Sequence, residues 1–178
     1  WFQLSLKEGL TVFRDQSFTS DTHSAGLKRI EDVSCLRNFQ FIEDKGPTSH
    51  AVKPKEYVAI DNFYTTTIYE KGAELIRMLQ LLLGNKRFMK GIKFYIDEFD
   101  GSAATTEDFV NSISRGAFSS NEISPFNIDQ FQNWYYKAGT PKVIINQEWD
   151  PKNSTLNISF EQELSSDLDN ENSEMVIP

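Results

Sequence analysis

The stretch LSLKEGLTVFRD, Leu4 to Asp15, decides how the chain is read. On helical spacing Leu6, Leu10 and Phe13 share a face, and Glu8 lies close to that face, one turn after Leu4 and just before Gly9. The spacing predicts an opening helix with a carboxylate at the edge of its apolar stripe. A carboxylate buried alone is strongly unfavourable, so Glu8 needs a hydrogen-bonded partner, an opposite charge or a metal. Two readings stand at this point: an ion pair or solvated helix charge, which is the commoner fate of helix carboxylates, and a metal ligand.

Outward from that helix the chain reads as mainly α. A polar connector, SFTSDTHSAG, is expected to separate it from a second helix in which Leu27, Ile30, Val33 and Leu36 recur at helical spacing. Gly46, Pro47 and Pro54 break the segment KGPTSHAVKPKEYVAIDNFYTTT into an irregular loop leading to short extended pieces. From Tyr69 the pattern is again helical, with Ala73, Leu75, Ile76, Leu79, Leu82 and Leu83 on a wide apolar face and Gly84 placed to end it. Asn85 is expected to cap the next helix, striped by Phe88, Ile92, Tyr95, Ile96 and Phe99. Thr105 with Asp108 forms a capping-box pattern, and Asn127 opens a last helix running through Ile128, Phe131, Trp134, Tyr135 and Ala138 to Gly139.

Beyond Pro141 the period falls from 3.6 to 2. KVIINQEW and TLNISFEQEL alternate apolar and polar residues around the turn DPKNS, which predicts a β-hairpin. A hairpin alone has too little apolar surface to stand in water, so it is expected to begin an all-β module. The acidic SSDLDNENSE reads as a solvated loop, and the terminal MVIP as the start of another strand. There is no internal repeat.

The 178 residues suffice for one sizeable core, and 39% apolar with 25% charged residues is ordinary for a globular protein. A formal charge of −8, from 18 basic and 26 acidic residues, argues against a nucleic-acid partner. No apolar run reaches bilayer length; the densest, LQLLLG at 79–84, is interrupted by Gln80. The single cysteine, Cys35, permits no intrachain disulfide and no cysteine-based zinc cluster, which points to a reducing compartment such as the cytoplasm. Cys35 reads as a small packed residue and His23 as exposed. The triplets Asn153-Ser154-Thr155 and Asn157-Ile158-Ser159 carry no weight outside a secreted protein. An opening Trp1-Phe2 without initiator Met or N-cap suggests a piece cut from a longer protein.

Three motifs in order, WFQLSLKEGLTVFRDQ, NFYTTTIYEKGAELIRM and FQNWYYKAGTP, closely resemble one region of the M1-family zinc aminopeptidases. The resemblance runs from Trp1 to about Pro141. It implies the helical C-terminal part of a thermolysin-like catalytic domain at 1–140, followed at 141–178 by the first strands of a β-sandwich. In that family a His-Glu-x-x-His helix supplies two zinc-binding imidazoles and a general base, and a later helix supplies a glutamate as third ligand, leaving one position open for water. Glu8 matches that glutamate. Tyr69 matches the family's catalytic tyrosine, whose phenol stabilises the oxygen that gains charge when water attacks. Tyr64 matches an aromatic lining the pocket for the first substrate side chain. Glu8 and Lys7 are further candidates for contact with the substrate, a peptide with a free N-terminus.

The His-Glu-x-x-His helix itself is absent, as is the glycine-rich motif that meets the substrate's amine. The chain alone is therefore expected neither to hold zinc tightly nor to hydrolyse peptides, and the remainder of the parent polypeptide is its implied partner. A non-catalytic helical packing or interaction module related to this family is the alternative.

Overall fold

The computed structural model describes residues 1–118, 122, 124–163 and 175–177. Its helices are α1 (Leu4–Thr22), α2 (Ala25–Cys35), α3 (Phe41–Lys45), α4 (Gly72–Leu83), α5 (Asn85–Phe99), α6 (Thr106–Ala117) and α7 (Ile128–Tyr136), followed by strands β1 (Lys142–Asp150) and β2 (Thr155–Glu163). Two π-helical turns interrupt the regular spacing. Leu36–Gln40 joins α2 to α3, and Thr67–Lys71 runs directly into α4. The fold is mainly α with an antiparallel hairpin, as the periodicities predict.

The core is built where the apolar stripes of α1, α4, α5, α6 and α7 meet. Phe13, Leu75, Ile76, Leu79, Phe88, Phe109, Val110, Ile113, Phe131 and Tyr135 are all buried there, and the Phe13 and Phe88 rings meet edge to face at 5.6 Å. Two helix crossings are close enough to need glycine. At α1/α4, a Cβ on Gly9 would lie 2.9 Å from the Gly72 carbonyl carbon, and one on Gly72 would overlap Ser5 Oγ. At α5/α6, a Cβ on Gly91 would lie 2.5 Å from Ile113 O. Ser5 Oγ also donates to Ile68 O at 2.8 Å, a buried bond that ties α1 to the turn before α4.

Caps follow the sequence. Thr105 Oγ1 accepts from Asp108 N while Asp108 Oδ2 accepts from Thr105 N, and Asn127 Oδ1 accepts from Asp129 N and Gln130 N. Gly84, at φ +74°, ends α4 and also fills the position before α5 that Asn85 was expected to take. The last helix stops at Tyr136, two residues short of Ala138.

Other expectations are corrected. The polar connector after Asp15 is helical to Thr22: it contains no breaker before Gly26, and Ser17 and Thr22 return their hydroxyls to the carbonyls of Phe13 and Phe18. In α2 the face carrying Leu27 and Ile30 is outward, at 65% and 64% exposed. Of the predicted stripe Leu36 is buried, and it lies in a line with Asp32, Gln40 and Asp44, three polar residues that no apolar period reveals. Its far end is an ion pair, Lys71 Nζ to Asp44 Oδ2 at 2.9 Å; Lys71 also donates to Gly139 O, and the same Asp44 oxygen accepts from Thr140 Oγ1, while the buried Asp44 Oδ1 has no hydrogen-bond partner among the described residues. The loop after Gly46 forms no strand; its one regular piece is a 3-10 turn at Ile60–Phe63. On α5, Ile96 is exposed despite its place in the stripe.

In the hairpin Ile145 faces Phe160, Gln147 faces Ile158 and Trp149 faces Leu156. These residues share one side, which is apolar and exposed; the other carries Asn146, Glu148, Asn157 and Ser159. Met175–Ile177 is not a strand, although the Gln162 side chain bonds both the N–H and the carbonyl of Met175. The stretch SSDLDNENSE lies outside the described residues.

Glu107 links three elements, pairing with Lys53 and accepting from the Tyr136 hydroxyl at 2.5 Å. Burial works against its charge, but Lys53, Tyr136 and Thr106 outweigh burial and hold the carboxyl at about 2. A depressed folded-state value stabilises the fold above the unfolded value, near 4.5, and that contribution is lost as pH falls toward 2. Denaturant titrations should therefore show Glu107→Gln less stable than wild type at neutral pH, with the gap closing in acid. For the α1/α4 crossing, Gly72→Ala should lose about 1–3 kcal/mol by overpacking. Gly26→Ala, which meets nothing within 4 Å, should be neutral or stabilising by up to about 1 kcal/mol.

Candidate active site

The crossing of α1 on the Thr67–Lys71 turn brings the sequence-predicted residues to one place. Lys7 and Glu8 come from the first turns of α1, Tyr69 from the π turn, and Tyr64 from the end of the 3-10 turn. The Ser5 bond to Ile68 O and the Gly9/Gly72 contact set the register, so that the residue after Ile68 lies beside the residue before Gly9. Ser5 and the two glycines are the site's positioning elements that sequence reading missed. The signal was present, since Ser5 and Gly9 are small residues one helical turn apart on α1.

Glu8 is largely covered, its side chain 13% exposed, and it forms an ion pair with Lys7, whose own side chain is 71% exposed. The plainer expectation for Glu8, a charge partner, is thus met by its neighbour in sequence. What that expectation does not account for is Tyr69. Burial raises the Tyr69 phenol above the ordinary tyrosine value, and the Glu8 carboxylate adds to this by its charge and by hydrogen bonding. Contact with Glu8 in turn holds the Lys7 ammonium above the usual lysine range. The Tyr64 ring, 54% exposed, lies 6.5 Å from the Tyr69 ring. The grouping is an acid, a neutral phenol held as a donor, a cation and an exposed aromatic.

A bound metal ion needs several donors that converge on one point. Among the described residues no three His, Cys, Asp or Glu side chains converge as ligands. His23 closes α1 beside Thr22, and His50 is bonded to Ala51 O at 2.8 Å and lies 3.7 Å from Glu43. Glu8 is a covered carboxylate that belongs to no such group among the described residues. Cys35 is on a different face, in a groove with Asp15, Asp32 and Glu70. Among the described residues no helix is long and apolar enough to cross a membrane.

The phenol offers a direct check. Absorbance titration of wild type against Tyr69→Phe should show Tyr69 ionising above pH 10.0, and Glu8→Gln should move that transition downward because the negative charge opposing ionisation is gone.

The chain is similar to known proteins over most of its length. The profile of the peptidase family M1 domain matches residues 1–135. Aminopeptidase N of Haemophilus influenzae is 49% identical over 162 residues, covering 91% of this chain and 18% of that protein. Aminopeptidase N of Escherichia coli is 44% identical over the same length, with the same coverage. The chain thus spans under a fifth of the length of the curated relatives it matches. A solved structure, Legionella pneumophila aminopeptidase A in complex with aspartic acid, superposes with a TM-score of 0.73 at 29% identity, covering 92% of this chain and 17% of that one. With the profile extending over most of the helical region, and the relatives over most of the chain, the chain belongs to peptidase family M1.

Proposed function

We propose that this chain is part of a zinc aminopeptidase that removes the N-terminal residue of peptides by metal-activated water, with Glu8 and Tyr69 in the reacting centre. The observation that carries the reading is the meeting of a covered carboxylate and a protonated phenol, from two elements far apart in sequence, in a chain of this family. The names of the bacterial relatives support the activity.

Zinc, when bound, supplies an activated water and a Lewis acid. Glu8 would offer one carboxylate oxygen as a ligand, with two imidazoles from the rest of the parent polypeptide. Tyr69, its ionisation pushed upward, stays a neutral donor at working pH and offers its O–H to the carbonyl oxygen as charge gathers there. Tyr64, exposed beside it, presents a ring to the first side chain of the peptide. Lys7, paired with Glu8 and open to solvent, stands at the pocket edge. On the same reading residues 1–140 close the catalytic domain and 141–178 open a β-sandwich; the family match ending at 135 and the one-sided apolar hairpin support that division. The single cysteine supports a cytoplasmic setting.

The test uses the full-length protein, with zinc content and release of an alanyl or leucyl fluorogenic group as readouts. Glu8→Ala should lose metal. Tyr69→Phe should keep it while turnover falls about a hundredfold or more, the usual loss for one oxyanion donor. Normal turnover in both variants would remove the assignment.

A further inference from the structure

Tyr69 sits on a π turn, a conformation with poorer hydrogen bonding than the α-helix, which persists where surrounding structure holds it. α1 holds it on one side through Ser5. α3 holds it on the other, through two consecutive acidic residues. Glu43 Oε2 accepts three hydrogen bonds at the start of the turn: from the Thr66 hydroxyl, from Thr67 N–H at 3.0 Å and from the Thr67 hydroxyl at 3.1 Å. Asp44 Oδ2 takes Lys71 Nζ, at the end of the same turn. Gln40, one turn earlier, donates to Thr67 Oγ1 at 3.3 Å.

The first amides of a helix have no partner inside it. Here Glu43 satisfies that of Thr67, while Thr65 satisfies those of Ile68 and Tyr69 through its hydroxyl and carbonyl oxygens. The Glu43 side chain is 16% exposed, and its other oxygen faces His50 Nε2 at 3.7 Å. A mostly covered carboxylate at a helix N-terminus is favoured by the helix dipole. Its three hydrogen bonds go to Thr66 and Thr67, and so they act on the phenol through the backbone.

We propose that Glu43 is a positioning residue for Tyr69: its carboxylate clamps Thr66 and Thr67 and thereby fixes the turn that presents the phenol beside Glu8. This rests on the role proposed above for Tyr69. Glu43 contributes no group to the peptide, so its loss falls on turnover, with substrate affinity and metal content unmoved.

The experiment compares Glu43→Ala and Glu43→Gln in the full-length protein, each alone and combined with Tyr69→Phe, measuring kcat, KM, zinc content and amide exchange across residues 66–71. Glu43→Ala should lower kcat about tenfold or more, as small misplacements of a reacting group do, with zinc unchanged and KM within about twofold. In the Tyr69→Phe background the same change should cost less than about twofold, since residues acting as a unit are non-additive. Glu43→Gln keeps an acceptor for Thr67 N–H and should recover part of the loss. Amide exchange across residues 66–71 should speed up in Glu43→Ala, because Thr67 N–H loses its acceptor.

Equal losses in both backgrounds, or wild-type kcat with unmoved amide exchange across residues 66–71, would overturn the proposal. Should Glu43→Ala fail to fold, Glu43→Gln decides it by the same two readouts. If Tyr69→Phe alone left turnover intact, the catalytic reading of Tyr69 would fall, and amide exchange across residues 66–71 in Glu43→Ala would still decide whether Glu43 holds the turn.

Discussion

The contact on which the molecule depends is the backbone-to-backbone approach of α1 and α4 at Gly9 and Gly72, locked by the Ser5 hydroxyl on the Ile68 carbonyl. Side chains of ordinary size would force the two helices apart, since packed helix axes with side chains between them stand 8–10 Å apart in general. Close approach does two things together. It lets the apolar faces that follow, Phe13 on one helix and Leu75, Ile76 and Leu79 on the other, enter one core. It also leaves Glu8 beside Tyr69, because each sits next to a residue of the contact. Packing and site geometry are therefore one constraint seen at two levels.

Around that contact the chain spends buried polar groups. Asp44, Lys71, Gln40 and Thr67 are all inside, and they sit on or against the turn that carries Tyr69. A buried ion pair is weak evidence for stability, because desolvation offsets most of the attraction. Its value here is specificity: Lys71 reaches Asp44 only if α3 lies across the turn in one register, and Gly139 O and Thr140 Oγ1 then join the same carboxylate and ammonium. The α2–α3 stretch thus acts as a polar brace, with its apolar residues Leu27 and Ile30 turned outward.

Most elements were legible in the sequence because their signals are local. The Thr105/Asp108 capping box, the Asn127 cap, Gly84 and the change to period 2 after Pro141 each act within a few residues. The errors share a cause. Leu27 and Ile30 at helical spacing predict a buried face, but burial went to Asp32, Gln40 and Asp44, whose partners lie in other elements and are invisible to periodicity. The π turns were missed for the same reason, since tertiary clamps hold them. Of the site, Lys7, Glu8, Tyr64 and Tyr69 came from the resemblance of three motifs and lie together in space. Ser5, Gly9, Gly72 and Glu43, which hold them there, have roles that exist only once helices cross.

The hairpin is dry on one side only. Ile145, Trp149, Leu156, Ile158 and Phe160 form a continuous hydrocarbon and aromatic surface, and a two-stranded ribbon leaves hydrogen-bonding edges on both margins. Such a ribbon behaves as an adhesive strip. An uncovered strip of this kind is, in general, a surface on which copies of a chain can meet when it is handled at high concentration. A net charge of −8 opposes such meetings by long-range repulsion but leaves the apolar side of the ribbon uncovered.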